Sequence, residues 1–142
     1  MISLDKIMTR DVVVIEPTAD IYDAIRMMSD GNITGLPVVD EDGKLVGVVT
    51  ERDVMKRLLT TQSTEGQVQD CMTTDVVSFD VNDGFLDVIS TLVEKRFRRV
   101  PIESEGRLAG IVSRSDIISY LFSCELKDRG VVAAAVRGKV VA

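Results

Sequence analysis

The sequence predicts an α+β fold in which two β-α-β-β-α repeats pack through their sheets with pseudo-twofold symmetry. Three observations predict it. The chain matches itself at a nearly constant offset. In each half, β-branched runs alternate with segments of helical periodicity. Finally, 45% of the 142 residues are apolar, which is enough for a substantial core. We expect the two sheets to share one core and to leave two related clefts between the repeats.

The internal match runs at an offset of 64 residues up to the turn of the hairpin and at 63 beyond it. The matched stretches are "MTRDVVVIEP" over "MTTDVVSFDV", "LPV" over "VPI" and "GKLVGVVTERDV" over "GRLAGIVSRSDI". Met, Asp, Pro and Gly recur at the same register, which a shared secondary-structure pattern alone rarely produces. We assign residues 1–62 to repeat 1, residues 63–123 to repeat 2 and residues 124–142 to a C-terminal tail.

Each repeat is expected to start with a leader turn and a strand. The first strands are predicted from the β-branched runs Val12–Ile15 and Val76–Phe79. A helix follows in each repeat, because apolar residues recur there every three or four positions, and Thr18 and Asn82 can cap these helices.

A hairpin and a second helix complete each repeat. An acidic turn with a glycine suited to positive φ separates two apolar runs, which predicts a hairpin. The strands are Leu36–Val39 with Leu45–Val49, and Val100–Ile102 with Leu108–Val112. The final helices begin near Thr50 and Ser113.

Composition excludes several classes of protein. The net charge is −6 and only 4% of residues are aromatic, so we expect no nucleic-acid partner. No apolar run approaches the roughly 20 residues that span a bilayer, and we expect no membrane partner. The absence of histidine and of a glycine-rich phosphate loop argues against catalysis and against a metal site. Two lone cysteines, Cys71 and Cys124, and no signal peptide favour a reducing cytoplasm.

The tail, "ELKDRGVVAAAVRGKVVA", carries four basic and two acidic side chains. It is compatible with a short helix, an added strand or a mobile end, and the frayed terminus is the favoured interpretation. Docking of its small apolar residues and cations on an acidic surface is the alternative.

The duplicated segments "MTRDVVVI" and "MTTDVVSF", with "GLPVVDEDGKLVGVVTERDV" and "RVPIESEGRLAGIVSRSDI", resemble a tandem pair of cystathionine-β-synthase (CBS) domains, the Bateman module. The resemblance covers residues 3–123. It implies a regulatory module that binds adenosine compounds (AMP, ADP, ATP or S-adenosylmethionine) between the repeats, often as a disc-like dimer. It further implies that occupancy is transmitted to another protein, and it does not imply catalysis.

Thr50 with Asp53, and Ser113 with Asp116, have two interpretations. Each pair matches a capping box, in which the side chains satisfy the first amides of a helix. In the resembled family the aspartates align with the residue that binds ribose and the hydroxyl residues with its partner. Aspartate instead of the usual glutamate, and a glycine three residues before the hydroxyl that could let a ligand approach, favour the ribose interpretation. The two roles are compatible.

The run "EKRFRRVP" is either a solvated helix end or a phosphate site. The resemblance assigns Arg98 and Arg99 to ligand phosphates, while Thr34 and Gly35 at the matching positions of repeat 1 offer no cation. Arg52 and Arg114 reach either a phosphate or water. An adenine pocket, by resemblance, uses apolar residues at the strand starts, although most of them would equally serve as core. The pocket residues are Val13, Val14, Thr34, Gly35, Pro37, Val77 and Pro101.

We therefore expect a stand-alone cytoplasmic homodimer that senses energy state through an adenine nucleotide or a related adenosyl ligand. The nucleotide would act as a regulatory ligand, without any cofactor, and the module would signal to an unidentified regulated protein. The alternative is a ligand-free dimerisation scaffold. A more distant alternative is a hydrolase that acts through carboxylates.

Overall fold

The computed structural model describes residues 2–124 and has the predicted mixed α+β architecture. The predicted tail lies, from residue 125 on, outside the described residues. The strands are β1 (Gly35–Val39), β2 (Leu45–Thr50), β3 (Phe79–Asp80), β4 (Arg99–Ser104) and β5 (Arg107–Ser113). The helices are α1 (Ile21–Gly31), α2 (Glu51–Thr61), α3 (Phe85–Glu94) and α4 (residues 114–124).

Both hairpins form as predicted. β1 pairs antiparallel with β2, and β4 pairs antiparallel with β5. Their turns contain Gly43 at φ +82° and Gly106 at φ +75°, a region that is costly for residues with a side chain. The register of each hairpin shifts beside an equivalent residue, Val38 in repeat 1 and Ile102 in repeat 2. The two repeats therefore share backbone detail down to single irregularities.

The first strand of each repeat is much shorter than predicted. Only Ile15 forms a bridge in repeat 1, parallel to Val38, and in repeat 2 the strand is β3, parallel to β4. Residues 10–14 and 74–78 pair with no strand, and Val13 is 54% exposed. β-Branched residues favour a pleated surface only where a neighbouring strand covers it, and none covers this one.

The first helix of each repeat starts later than Thr18 and Asn82 predicted. The N-cap residues are Asp20 and Gly84. In repeat 1 the carbonyl oxygen of Gly66 accepts from the Ile21 amide, at 3.0 Å, and so fixes the first turn. In repeat 2 the amide of Asn82 donates to the Asp80 carboxylate at 2.9 Å, which forms a local turn before the helix.

The start of each repeat packs in the other repeat. We call residues 3–9 leader 1 and residues 67–73 leader 2. Leu4, Ile7 and Met8 of leader 1 belong to the buried cluster of repeat 2. Val68 of leader 2 belongs to the buried cluster of repeat 1, with Met72 packed against it. The prediction of one shared core is therefore wrong: there are two clusters, each completed by the opposite leader.

Backbone hydrogen bonds fix both exchanged leaders. Thr9 exchanges two bonds with Ile111 on β5, at 2.8 and 2.9 Å. Thr73 exchanges two with Val48 on β2, again at 2.8 and 2.9 Å. Each leader thus adds one bridge to a hairpin of the other repeat, at the strand that precedes α2 or α4. Within residues 2–124, no helix is both long enough and apolar enough to cross a bilayer.

Candidate functional site

Two cavities, each of about 370 Å³, lie between residues of the two repeats. Cleft 1 is lined by Thr34, Gly35, Leu36, Pro37, Val48, Thr50, Thr73, Asp75, Val76, Val77, Arg96, Phe97, Arg98, Arg99, Pro101 and Ile111. Cleft 2 is lined by Thr9, Asp11, Val12, Val13, Ile33, Gly35, Pro37, Arg99, Ile111, Ser113, Ser115 and Asp116.

The clefts combine the predicted residues across the repeats. In cleft 1, Thr50 of repeat 1 lies with Val77, Arg98 and Pro101 of repeat 2. In cleft 2, Ser113 and Asp116 of repeat 2 lie with Val13 of repeat 1. Thr34 lines cleft 1 only, and Gly35, Pro37 and Arg99 line both clefts. Val14 lines neither cleft and is exposed to solvent.

Asp53 is held as a capping box from both sides. Its Oδ2 accepts from the Thr50 amide at 2.9 Å and from the Thr50 hydroxyl at 3.0 Å. The Asp53 amide donates back to Thr50 Oγ1 at 3.2 Å. The second oxygen, Oδ1, accepts from the hydroxyl of Thr73 in leader 2, at 2.9 Å. Asp53 is partly buried and does not itself line cleft 1, but both threonines that bind it do.

Asp116 repeats this arrangement with one difference. Its Oδ2 accepts from the Ser113 amide at 2.9 Å, and its own amide donates to Ser113 Oγ at 3.0 Å. Its Oδ1 accepts from the hydroxyl of Thr9 in leader 1, at 3.1 Å. The Ser113 hydroxyl contacts Ser115 Oγ at 2.9 Å. In both repeats the cap therefore forms, and a threonine of the opposite leader holds the outer carboxylate oxygen.

Sequence analysis missed these two threonines and Ser115. Thr9 and Thr73 recur at one register, in "MTRD" and "MTTD", which was the available signal. Their contacts with Asp116 and Asp53 depend on the leader exchange, which the self-match does not reveal. Asp11 and Asp75, which recur at one register in "MTRD" and "MTTD", also line the clefts, Asp11 in cleft 2 and Asp75 in cleft 1.

The glycines before the hydroxyl residues make room for the leaders rather than for a ligand. A Cβ at Gly47 would lie 2.8 Å from Met72 Sδ and 2.9 Å from the Thr73 carbonyl oxygen. A Cβ at Gly110 would lie 2.7 Å from the Thr9 carbonyl oxygen and 2.9 Å from Met8 Sδ. The expectation that a ligand uses this space is wrong, because the backbone of the opposite leader already fills it.

The four predicted phosphate-binding arginines divide into two that line a cleft and two that do not. Arg98 and Arg99 line cleft 1, as does Arg96, which sequence analysis did not select. Arg52 is exposed and lines neither cleft. Arg114 also lines neither cleft. Its Nε donates to the Phe97 carbonyl oxygen at 2.7 Å and its guanidinium donates to the Leu92 carbonyl oxygen at 3.3 Å. Arg114 therefore holds the backbone of the segment at 96–99, which contains the arginines that line cleft 1.

The two clefts differ in charge. Cleft 1 is lined by three arginines and one aspartate, Asp75. Cleft 2 is lined by one arginine, Arg99, and two aspartates, Asp11 and Asp116. Cleft 1 combines apolar side chains, threonine hydroxyls and an excess of cations, which suits a polar ring carrying phosphates. Cleft 2 is the more acidic of the two.

Cys71 lies close enough to the Asp53 carboxylate to be affected by its charge. Cys71 of leader 2 is partly buried, and burial, followed by the negative charge of Asp53, raises the pKa of its thiol. The thiol is therefore protonated near neutral pH and is a poor nucleophile.

Comparison with known proteins identifies the family. The CBS domain model matches residues 4–60 and again residues 68–123. The CBS domain-containing protein YhcV of Bacillus subtilis is 34% identical over 119 residues, which cover 82% of this chain and 84% of YhcV. An inosine-5'-monophosphate dehydrogenase of Methanocaldococcus jannaschii is 35% identical over 115 residues, which cover 80% of this chain. The chain spans 22% of that dehydrogenase, and 42% and 34% of two further relatives.

A solved structure agrees with these matches. The crystal structure of CBSX2, a CBS-pair protein from Arabidopsis thaliana, in complex with AMP matches at a TM-score of 0.76 and 26% identity. It covers 88% of this chain and 99% of that chain. The exchanged leaders, the two capped hairpin-to-helix junctions and the double family match lead to one conclusion: the chain belongs to the CBS family and contains a tandem pair of CBS domains.

Proposed function

We propose that this tandem CBS pair is a regulatory module that binds an adenine nucleotide, with cleft 1 as the phosphate-binding site. The observation that carries the proposal is the composition of cleft 1. Thr50, the arginines at 96, 98 and 99 and the apolar residues Val77 and Pro101 line one cavity of about 370 Å³. This volume lies within the range of small-molecule sites. The AMP complex of the similar protein CBSX2 supports the ligand class.

Each group in cleft 1 has a proposed role. Val77 and Pro101 of repeat 2, together with Thr34, Gly35 and Pro37 of repeat 1, form the slot for adenine. Asp53, which lies next to the lining residues Thr50 and Thr73, accepts from the ribose hydroxyls, because a carboxylate can accept from both hydroxyls of a diol, and the Thr50 hydroxyl donates to or accepts from them. The planar donors of Arg98 and Arg99 bind the phosphates. Arg52 and Arg114 have no proposed ligand role, since neither lines a cleft.

Cleft 2 is proposed as a second site for an adenosyl ligand with less negative charge. Val13 and Pro37 form its apolar wall, and Ser113 and Asp116 form the ribose end. Asp11 and Asp116 against the single Arg99 disfavour a triphosphate. An adenosyl ligand that carries positive charge, such as S-adenosylmethionine, suits this lining better.

The proposed output is a signal to another protein, not a reaction. Membership of the CBS family supports regulation, and the whole sequence contains no histidine. Large apolar side chains are exposed on the helices, among them Leu59 (82%), Leu86 (75%) and Ile118 (65%). Such exposure favours an interface with a second copy or with the regulated protein. We propose a cytoplasmic homodimer. A ligand-free scaffold is the competing function.

A thermal-shift panel of AMP, ADP, ATP, S-adenosylmethionine and adenosine, with guanosine nucleotides as controls, tests the proposal. A ligand at 100 times its Kd stabilises the folded state by about 2.7 kcal/mol. We expect adenine nucleotides to raise the Tm of the wild type and to raise that of Arg98→Ala less. Arg52→Ala is the matched control, because Arg52 is an exposed arginine outside both clefts. No shift at millimolar concentration would favour the scaffold.

A further inference from the structure

Asp53 and Asp116, the two proposed ribose-binding carboxylates, differ in how many of their hydrogen-bond acceptor positions already bind a donor of the protein. A carboxylate has about four such positions, two on each oxygen. At Asp53, the amide and the hydroxyl of Thr50 use both positions of Oδ2, and the Thr73 hydroxyl uses one of Oδ1. At Asp116, the Ser113 amide uses one position of Oδ2 and the Thr9 hydroxyl uses one of Oδ1.

A ribose diol brings two donors. Counting the donors within residues 2–124, Asp116 retains one free position on each oxygen and can accept both hydroxyls while Thr9 stays bound. Asp53 retains a single free position, so one of its present donors must leave before both ribose hydroxyls bind. The two Thr50 bonds belong to the capping box of α2. The Thr73 hydroxyl comes from another segment, is exposed and lines cleft 1. It is the donor that can leave without opening the helix.

We propose that ribose binding in cleft 1 displaces the Thr73 hydroxyl from Asp53 and thereby loosens leader 2, whereas ribose binding in cleft 2 leaves Thr9 in place. The inference rests on the proposed function. Leader 2 completes the core of repeat 1 and precedes repeat 2, so its release couples occupancy of cleft 1 to both repeats. Cleft 2 lacks this coupling. Thr73 is then a positioning residue for Asp53 in the empty cleft and a competitor of the ligand.

The test is an NMR titration of wild type, Thr73→Val and Thr9→Val with AMP. The amides of Val77 and Val13 report on cleft 1 and cleft 2 separately, since each lines only one cleft. Valine keeps the shape and the backbone bonds of threonine but removes the donor. We expect Thr73→Val to bind AMP in cleft 1 about fivefold more tightly, which corresponds to about 1 kcal/mol for one hydrogen bond. Thr9→Val, the matched control, should change the affinity of cleft 2 by less than about twofold.

The rate of amide hydrogen exchange is a second measurement. AMP would not change this rate if Thr73 had only a structural role. AMP should speed exchange of the Thr73 amide in the wild type and leave the Thr9 amide unchanged. Weaker AMP binding by Thr73→Val, or equal effects of the two variants, would overturn the inference while the proposed function stands. If AMP moves neither reporter in the wild type at millimolar concentration, the proposed function fails and the displacement step fails with it.

Discussion

The two clefts are built on the same backbone and differ in the side chains that they present. The segments before β1 and β4 each contain one non-glycine residue with positive φ at the matching position, Asn32 at 50° and Arg96 at 57°. Asparagine tolerates this conformation better than arginine does. Repeat 2 nevertheless places arginine there, followed by Arg98 and Arg99. The backbone frame is therefore common to both repeats, and the segment at 96–99 makes cleft 1 cationic.

The frame itself depends on the exchanged leaders. Gly47 and Gly110 are the positions where each leader crosses the opposite hairpin.

Gly110→Ala should lower the free energy of unfolding by about 2–3 kcal/mol, because overpacking at a backbone contact cannot relax easily. The added Cβ would lie 2.7 Å from the Thr9 carbonyl oxygen. Gly47→Ala should cost a similar amount, since its added Cβ would lie 2.9 Å from the Thr73 carbonyl oxygen as well as 2.8 Å from Met72 Sδ. Urea denaturation measures both. Gly31→Ala is the control, as its nearest contact is an ordinary 3.5 Å. Equal stability of all three variants would contradict the packing of the leaders.

Arg98→Ala should weaken ATP binding roughly tenfold or more, because hydrogen bonds to a charged group contribute about 1.5–3 kcal/mol. Adenosine binding should change by less than about twofold, since adenosine carries no phosphate. Arg99→Ala should also weaken ATP more than adenosine, and it should affect both clefts because Arg99 lines both. Isothermal titration calorimetry measures these affinities. If Arg98→Ala weakens ATP binding and adenosine binding by the same factor, Arg98 does not bind the phosphates.

Asp53→Asn and Asp116→Asn distinguish a cap from a ribose site. Each should sharply weaken nucleotide binding in its own cleft. Loss of a cap costs about 1 kcal/mol, and the loss of stability should be larger at Asp53, which accepts three hydrogen bonds, than at Asp116, which accepts two. Thermal unfolding gives the stability and NMR titration gives the affinity. If a variant loses stability but binds nucleotide with the affinity of the wild type, that aspartate caps the helix and does not bind ribose.

Cys71→Ala should have the smallest effect on how stability depends on pH, and that effect should be confined to alkaline pH. Leader 1 has Ile7 at the matching position, so only leader 2 contains this titrating group. Burial raises the pKa of the Cys71 thiol above its ordinary value of 9.0. The folded state therefore favours the protonated thiol, and this contribution is present below pH 9 and is lost as the pH rises through the folded pKa. The wild type should lose more stability than Cys71→Ala in urea denaturation above pH 9. Parallel pH profiles would refute this.

The sequence was sufficient for the elements that depend on local patterns. Hairpins with Gly43 and Gly106 at their turns, and the helix start at Thr50, follow from turn chemistry and capping, which act within a few residues. The first strands are shorter than predicted because no neighbouring strand covers their β-branched residues: Val13 and Val77 line the clefts, and Val14 is exposed to solvent.

Long-range contacts explain the rest of the difference. The sequence of a leader is the same whether it packs in its own repeat or in the other one. The self-match therefore could not reveal the exchange. Two errors follow from it: the single shared core, and the interpretation of Gly47 and Gly110 as space for a ligand. The same exchange brings Thr9 to Asp116 and Thr73 to Asp53.

The exchanged leaders also determine how the chain can be divided. A cut in the segment between α2 and leader 2, at residues 62–66, would leave each fragment with a core that lacks its leader and a leader that fits the other fragment. Neither half is complete alone, but each supplies the missing piece of the other. The protein is therefore organised as a complementation pair in a single chain, whose halves should recover the native fold when they are mixed as separate polypeptides.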